Sequence, residues 1–318
     1  MNKFFVVLMA FGLVFFGETL CLGQARIAWS SAMGIPEFSQ PGAVASSGHP
    51  SLLLGNFMTL QSPGASPTST VVAAQSEFSY GQWGGGVFLN QASIGNIFDL
   101  RISPTIAYRV NFGKGKLALG SRLELGQTSI RNDHEGAQHF DDPTIGVDQN
   151  YWHVDFSAGL YYWKENMKIG IAVADLVSSY NASGAEHPLT RSAEWNFLMR
   201  YEVPMQNDFT LSLVSENRWV PNQVRVHEFA LQFSDDGRWV IGPMVRSTLE
   251  YGAIAGVHLK GFMKQLKDDP YVGYLISVHP TLGATFQQAV INWKFNVRPN
   301  AKRVKNKKAS PVDPVFLQ

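Results

Sequence analysis

The chain has 318 residues, a formal net charge of +1, 16% charged residues and 12% aromatics. That balance argues against a nucleic-acid binder, which needs a basic surface, and against an acidic disordered chain. A mean hydropathy of −0.06 is too polar for a bundle of membrane helices but suits a membrane barrel, in which half of every strand is polar.

Residues 1–23 read as a secretory signal peptide. Lys3 supplies the positive start, and Phe4 to Phe16 is an apolar run too short to span a bilayer as a helix. Cleavage after Gly23 is expected. Cys21 is the only cysteine, and Thr19 and Leu20 before it are poor lipobox residues, so lipidation is disfavoured and the mature chain is expected to carry no disulfide. Residues 24–50 are irregular and rich in Gly, Pro, Ser and Ala; they read as a periplasmic lead or a partial plug.

From residue 51 the chain reads as about 14 strands, at roughly 51–61, 67–79, 83–90, 97–111, 115–128, 150–163, 166–176, 192–204, 207–218, 223–234, 237–246, 248–260, 270–279 and 286–297. The clearest lie between Phe98 and Asp175. There Leu100, Ile102, Ile106, Tyr108 and Val110 alternate with Arg101, Ser103, Thr105, Ala107 and Arg109. Trp152, Val154, Phe156 and Leu160 alternate with His153, Asp155, Ser157 and Tyr161. Strands of this length, with full charges and glycines on the polar face, suit a transmembrane barrel whose apolar side meets lipid. Val224 and Val226 fall out of phase with Phe229, Leu231 and Phe233, which predicts a bulge near Glu228. The fold class is therefore all-β, a transmembrane antiparallel β-barrel over residues 51–297. Trp83, Trp152, Trp163, Trp195, Trp219, Trp239 and Trp293 near strand ends read as membrane-interface girdles.

Connections at 112–114, 164–165, 205–206 and 235–236 are tight, whereas 129–149 and 177–191 are long. Bacterial barrels keep short turns on the periplasmic side and long loops outside. Starting the first strand from the periplasm places the tight turns inside, the long loops outside and both termini in the periplasm; 261–269 is the exception. After the last strand, residues 298–318 form a short basic tail with Arg298, Lys302, Arg303, Lys305, Lys307 and Lys308. It reads as a docking element for periplasmic partners, a solvated end or a lipid contact.

Several segments, taken in order, resemble the PorP/SprF family of type IX secretion system outer-membrane proteins of the Bacteroidetes. They are Gly84-Gly85-Gly86-Val87, Ile106-Ala107-Tyr108-Arg109-Val110, Gly115-Lys116-Leu117-Ala118-Leu119-Gly120, Asp141-Asp142-Pro143, Gly159-Leu160-Tyr161-Tyr162 and Lys168-Ile169-Gly170-Ile171-Ala172-Val173-Ala174-Asp175-Leu176. Ala289 to Phe295 is similar to the family's closing strand and Leu52 to Phe57 to its entry segment. The resemblance implies a non-enzymatic role beside the type IX machinery, which exports proteins bearing C-terminal signal domains, some of them gliding adhesins. It implies other type IX components and a secreted protein as partners, together with outer-membrane lipid, and no cofactor or nucleic acid.

Residue chemistry leaves weaker alternatives. The loop 129–149 holds Asp133, His134, Glu135, His139, Asp141, Asp142 and Asp148, but no metal-motif spacing; it reads as a solvated acidic loop, with Asp141, Asp142 and Pro143 as candidate partner contacts. His153 and Asp155 share one strand face and suit acid–base work, but no serine is placed to complete a catalytic set. A polar network with Arg122, Glu124 and Lys168 is the plainer reading. Inward Asp99, Arg101, Arg109, Arg122, Glu124, Lys168, Arg238, Arg246 and Lys294 mix both signs, which favours a salt-bridged interior over an ion-selective pore. An outer-membrane channel or small-solute transporter is the alternative function.

Overall fold

The computed structural model describes residues 29–60, 67–130, 149–182, 192–206, 208–221, 225–235, 238–263, 266, 268–280 and 284–296. Fourteen strands close into one antiparallel barrel in which each strand pairs with its neighbours in sequence and the first meets the last. They are β1 Ser51–Leu60, β2 Thr68–Phe78, β3 Trp83–Ile94, β4 Ile97–Phe112, β5 Gly115–Ile130, β6 Gln149–Lys164, β7 Met167–Ala182, β8 Glu194–Pro204, β9 Phe209–Trp219, β10 Val226–Asp235, β11 Trp239–Arg246, β12 Tyr251–His258, β13 Asp269–His279 and β14 Ala284–Lys294. Closure leaves no sheet edge around the wall, which a backbone in lipid requires.

The side-chain alternation runs as the sequence pattern dictates. Along β4, Arg101, Ser103, Thr105, Ala107 and Arg109 are buried inward while Leu100, Ile102, Ile106, Tyr108 and Val110 are exposed outward. Leu119, Leu123 and Leu125 of β5 likewise cover the outer face. Water-facing apolar residues on this scale would be prohibitive; facing hydrocarbon they are the favourable half of a period-two strand. Among the tryptophans, Trp152, Trp195, Trp219 and Trp293 are exposed, as a girdle requires. Trp163 departs from that expectation. It shares the inward parity of His153 and Tyr161, and the Arg109 guanidinium sits 5.7 Å from its ring centroid.

The expected bulge near Glu228 is absent. β10 holds one continuous register against β9 from Val226 to Asp235, and Val226 shares the inward parity of Glu228, Ala230 and Gln232. Its apolar character marks a partly buried luminal position, not a phase slip; Val224 lies outside the described residues. The wall breaks register elsewhere. Phe156 opposes Val177 but Ala158 opposes Val173, so Ser157 faces the bulged residues Ala174 to Leu176. Asp175 at φ 55° occupies the left-handed region that aspartate tolerates better than most residues. Within the bulge Asp175 turns into the lumen, where it is 7% exposed, and because the register moves by two residues the in-out phase of the strand is the same on either side. The pattern visible in the sequence stops at this interruption, at residue 176, while β7 continues to Ala182.

β4 to β7 each run 16 residues, against 8–12 for the others. β7 pairs with β8 only as far as Ala174, so this side of the wall overhangs the end that carries the connections 131–148 and 183–191. The opposite end carries the tight turns at Gly113 and at Glu165–Asn166, together with the start of β1 and the end of β14. There the connection after β12, expected as a plain loop, contains a short helix, Leu259–Phe262. Arg238, expected to face the lumen, precedes β11 at this end, and its side chain is mostly exposed.

Candidate functional site

Residues 29–50 occupy the lumen. Three single-turn 3-10 segments, Ser31–Met33, Pro36–Phe38 and Pro41–Ala43, carry the chain from the long-loop half of the barrel to the short-turn end, where β1 begins. Proline at the start of two of these turns suits a backbone with no regular partner. Met33, Ile35, Ala43 and Val44 are at most 2% exposed, and the Trp29 ring stacks on Phe38 at 5.1 Å. This small apolar core lies inside a polar wall.

The wall holds the segment by donating to its main chain. Arg122 donates from Nη1 to Phe38 O at 2.9 Å and from Nη2 to Glu37 O. Arg109 donates to Val44 O at 2.6 Å. Arg218 donates to Trp29 O and Gln232 to Ala32 O. The Gln75 side chain accepts from Ala45 N at 2.7 Å and donates to Glu37 Oε1 at 3.1 Å. These groups satisfy an irregular backbone that has no ladder of its own, as buried polar groups must be. Burial pushes the Glu37 carboxyl above the usual carboxylate range, against the hydrogen bonds from its own backbone and Gln75.

The glycines of the wall fit the same purpose. A Cβ on Gly84 would lie 2.5 Å from Val44 O, one on Gly86 2.9 Å from Val44 Cγ2, and one on Gly170 2.6 Å from the Gln40 side chain. On Gly120 it would fall on the Pro41–Gly42 main chain. The wall is thin where the luminal segment presses on it.

Two charge networks line the long-loop half. Arg246 donates to Glu228 Oε2 at 2.8 Å and to Glu250 Oε2 at 2.9 Å, while Ser30 Oγ bonds Glu228 from the luminal side. On β4–β7, Arg101 pairs with Asp99 and lies 3.5 Å from Glu124, and His153 Nε2 is 3.8 Å from Asp155 Oδ2. Glu124, Asp155 and Asp175 bring carboxylate oxygens within 4.8 Å of one another, the arrangement among the described residues that would best suit a divalent cation. Of the network expected with Arg122, Glu124 and Lys168, His153, Asp155 and Glu124 come together, whereas Arg122 bonds Thr105 and the Glu37 and Phe38 main chain and Lys168 is not in it. Lys168 lies near the other end, 3.4 Å from Glu202. Asp175 escaped the sequence reading because only the bulge turns it inward.

At the short-turn end a cavity of about 260 Å³ opens beneath the luminal segment, lined by Glu37, Tyr161, Trp163, Lys168, Arg200 and Lys294 among others. The candidate partner contacts Asp141, Asp142 and Pro143 in the long loop, and Arg298, Lys302, Arg303, Lys305, Lys307 and Lys308 in the tail, lie outside the described residues.

A closed barrel with an apolar outer belt, aromatic ends and a lumen filled by its own N-terminal chain defines an integral outer-membrane β-barrel. Two solved barrels share the fold. The CymD monoaromatic hydrocarbon channel is 12% identical with a TM-score of 0.50, covering 86% of this chain and 93% of its own. The TodX deltaS2S3 mutant monoaromatic hydrocarbon channel is 12% identical with a TM-score of 0.50, covering 82% and 94%. No curated protein matches the sequence. Residues 36–263 match the type IX secretion system membrane protein PorP/SprF family, and the chain belongs to it. The family is one of secretion-system membrane components, not a class of enzymes.

Proposed function

We propose that this barrel is a non-enzymatic scaffold or anchor of the type IX secretion system, joining a periplasmic partner to a secreted or surface-held protein. The observation that carries this reading is the occupied lumen. A wall that commits Arg109, Arg122, Arg218 and Gln232 to one internal segment supports a closed body whose working parts are its two ends. In this reading both termini lie in the periplasm. The overhanging β4–β7 wall presents the long loops outside, with Asp141, Asp142 and Pro143 meeting the exported partner. The tail residues Arg298, Lys302, Arg303, Lys305, Lys307 and Lys308 meet a periplasmic one through charge attraction that salt weakens. Gliding enters if the exported partner is an adhesin.

The test combines two measurements on the full-length protein. Gentle extraction with an affinity tag is expected to recover type IX components or one large protein with a C-terminal signal domain. Planar-bilayer recordings are expected to stay near baseline. Recovery of the folded barrel alone, with steady conductance, would replace the scaffold by the channel reading. Truncation after Val297 is expected to reduce recovery of periplasmic partners; unchanged recovery removes the tail from the docking surface.

A further inference from the structure

Around the cavity at the short-turn mouth the lining cations outnumber the carboxylates, while Glu77, Asp235 and Asp269 at the same end are paired with Arg109, Arg238 and His258. Lys168 and Arg200 share one carboxylate, Glu202, at 3.4 and 2.8 Å. Lys294 of β14 lines the same cavity and forms no ion pair among the described residues. Just outside, the rim adds Lys114, Lys116 and Lys164 against Glu165, and this rim shares Trp163 and Lys168 with the cavity. Rim and cavity are one continuous basic surface with two aromatic rings in its floor.

The cavity also presents acceptors. Glu37 and Asn292 are 5% and 6% exposed, both line it, and neither Glu37 Oε2 nor Asn292 Oδ1 receives a hydrogen bond. Buried acceptors left without donors cost free energy that a ligand carrying N–H groups would recover. An inorganic anion or a lipid phosphate would satisfy the cations and leave these two oxygens bare. An extended peptide with acidic side chains offers both, since its amides reach Glu37 and Asn292 while its carboxylates meet Lys168, Arg200 and Lys294.

We propose that the short-turn mouth is a docking site for an extended acidic peptide segment of a partner protein. Only the compartment, the periplasm, rests on the scaffold reading; the chemistry of the mouth does not.

Fluorescence anisotropy of the detergent-purified full-length barrel tests this, with a labelled peptide of alternating Glu and Gly, its Gln-for-Glu counterpart and inorganic phosphate as competitor. The acidic peptide is expected to bind at least about tenfold more tightly than the Gln peptide and to weaken as salt rises. The double variant Lys168→Gln/Lys294→Gln is expected to lose about tenfold or more. Equal binding of the Gln peptide, no saturable binding to the folded barrel, or displacement by phosphate at matched concentration would each overturn the proposal. Should the double variant fail to fold, photocrosslinking of the acidic peptide to the unmodified barrel decides. Adducts between Tyr161 and Lys168 and at Asn292 to Lys294 support the site, whereas adducts confined to the long loops or the outer face refute it. Loss of peptide binding with partner recovery intact would sink this site and spare the scaffold; the reverse would spare the site alone.

Discussion

Replacing Arg122 by methionine asks whether the wall holds the luminal segment. The guanidinium is buried, donates to the carbonyls of Glu37 and Phe38 and to Thr105 Oγ1 at 3.0 Å, and lies 4.6 Å from the Phe88 ring centroid. Methionine keeps an apolar stem about as far as the position of Nε but removes the guanidinium, with every donor and its contact with Phe88. Two main-chain carbonyls of the segment then face a wall that offers nothing, and each buried unsatisfied acceptor costs about 1–3 kcal/mol. Water entering the lumen recovers part of this, so the net loss is about 3 kcal/mol, a factor of roughly 100–200 in the docking equilibrium. The assay places a reporter cysteine at Ala43, which is 0% exposed, in a background with Cys21 replaced by serine. Maleimide labelling of the folded barrel should accelerate by about the factor of the docking loss, and bilayer recordings should begin to show openings. Unchanged labelling on a barrel that still shows heat-modifiable migration would refute the idea that these hydrogen bonds hold the segment.

Gly120→Leu should release the segment by steric means alone, because the new Cβ falls on the Pro41–Gly42 main chain; the same cysteine reporter reads it, and an unlabelled Ala43→Cys in that background would contradict the tight approach. Glu37→Gln tests the buried carboxyl. Because burial raises its folded pKa, its contribution favours the docked state at low pH and is lost as pH rises through that raised value. The variant should therefore gain more thermal stability relative to the parent at high pH than at low pH, as read by scanning calorimetry. Leu123→Lys places a charge on the outer face midway along β5, where Leu123 is exposed. It should cost about 2–4 kcal/mol in lipid and much less in detergent with the charge free to reach water, and equal refolding midpoints in the two media would argue against a lipid-facing wall.

The barrel was legible because lipid enforces what a soluble core only encourages. Every outward position from Leu100 to Val110 must be apolar, so the period-two pattern survives at full contrast and strand number follows from counting it. The pattern fails where the alternation is locally interrupted. At Ala174 to Leu176 the bulge places neighbouring residues on one face, and no single-residue signal distinguishes this from the end of a strand. The expected slip points the other way: Val226, a partly buried apolar residue on the luminal face, looks like an outward residue out of register. Trp163 misleads for a related reason, since a tryptophan near a strand end is read as a girdle residue although here it floors a luminal cavity.

The glycines show what the sequence could have told and did not. Gly84, Gly86, Gly120 and Gly170 stand among the motifs that carry the family resemblance, and taken singly each is an ordinary barrel glycine. Their common cause is in the structure: all four are on the inward face, and all four meet one stretch, Gln40 to Val44. Inward glycines on β3, β5 and β7 make no sense in a water-filled pore, where any small polar residue would serve. They make sense where the segment presses on the wall, with its main chain at Gly84 and Gly120 and with the Val44 and Gln40 side chains at Gly86 and Gly170. A wall thinned at several strands for one internal segment, with arginines beside the gaps that donate to its carbonyls, is adapted to keeping that segment inside. Under the proposed scaffold role, what is left to meet partners is the two ends, the loops and the basic mouth.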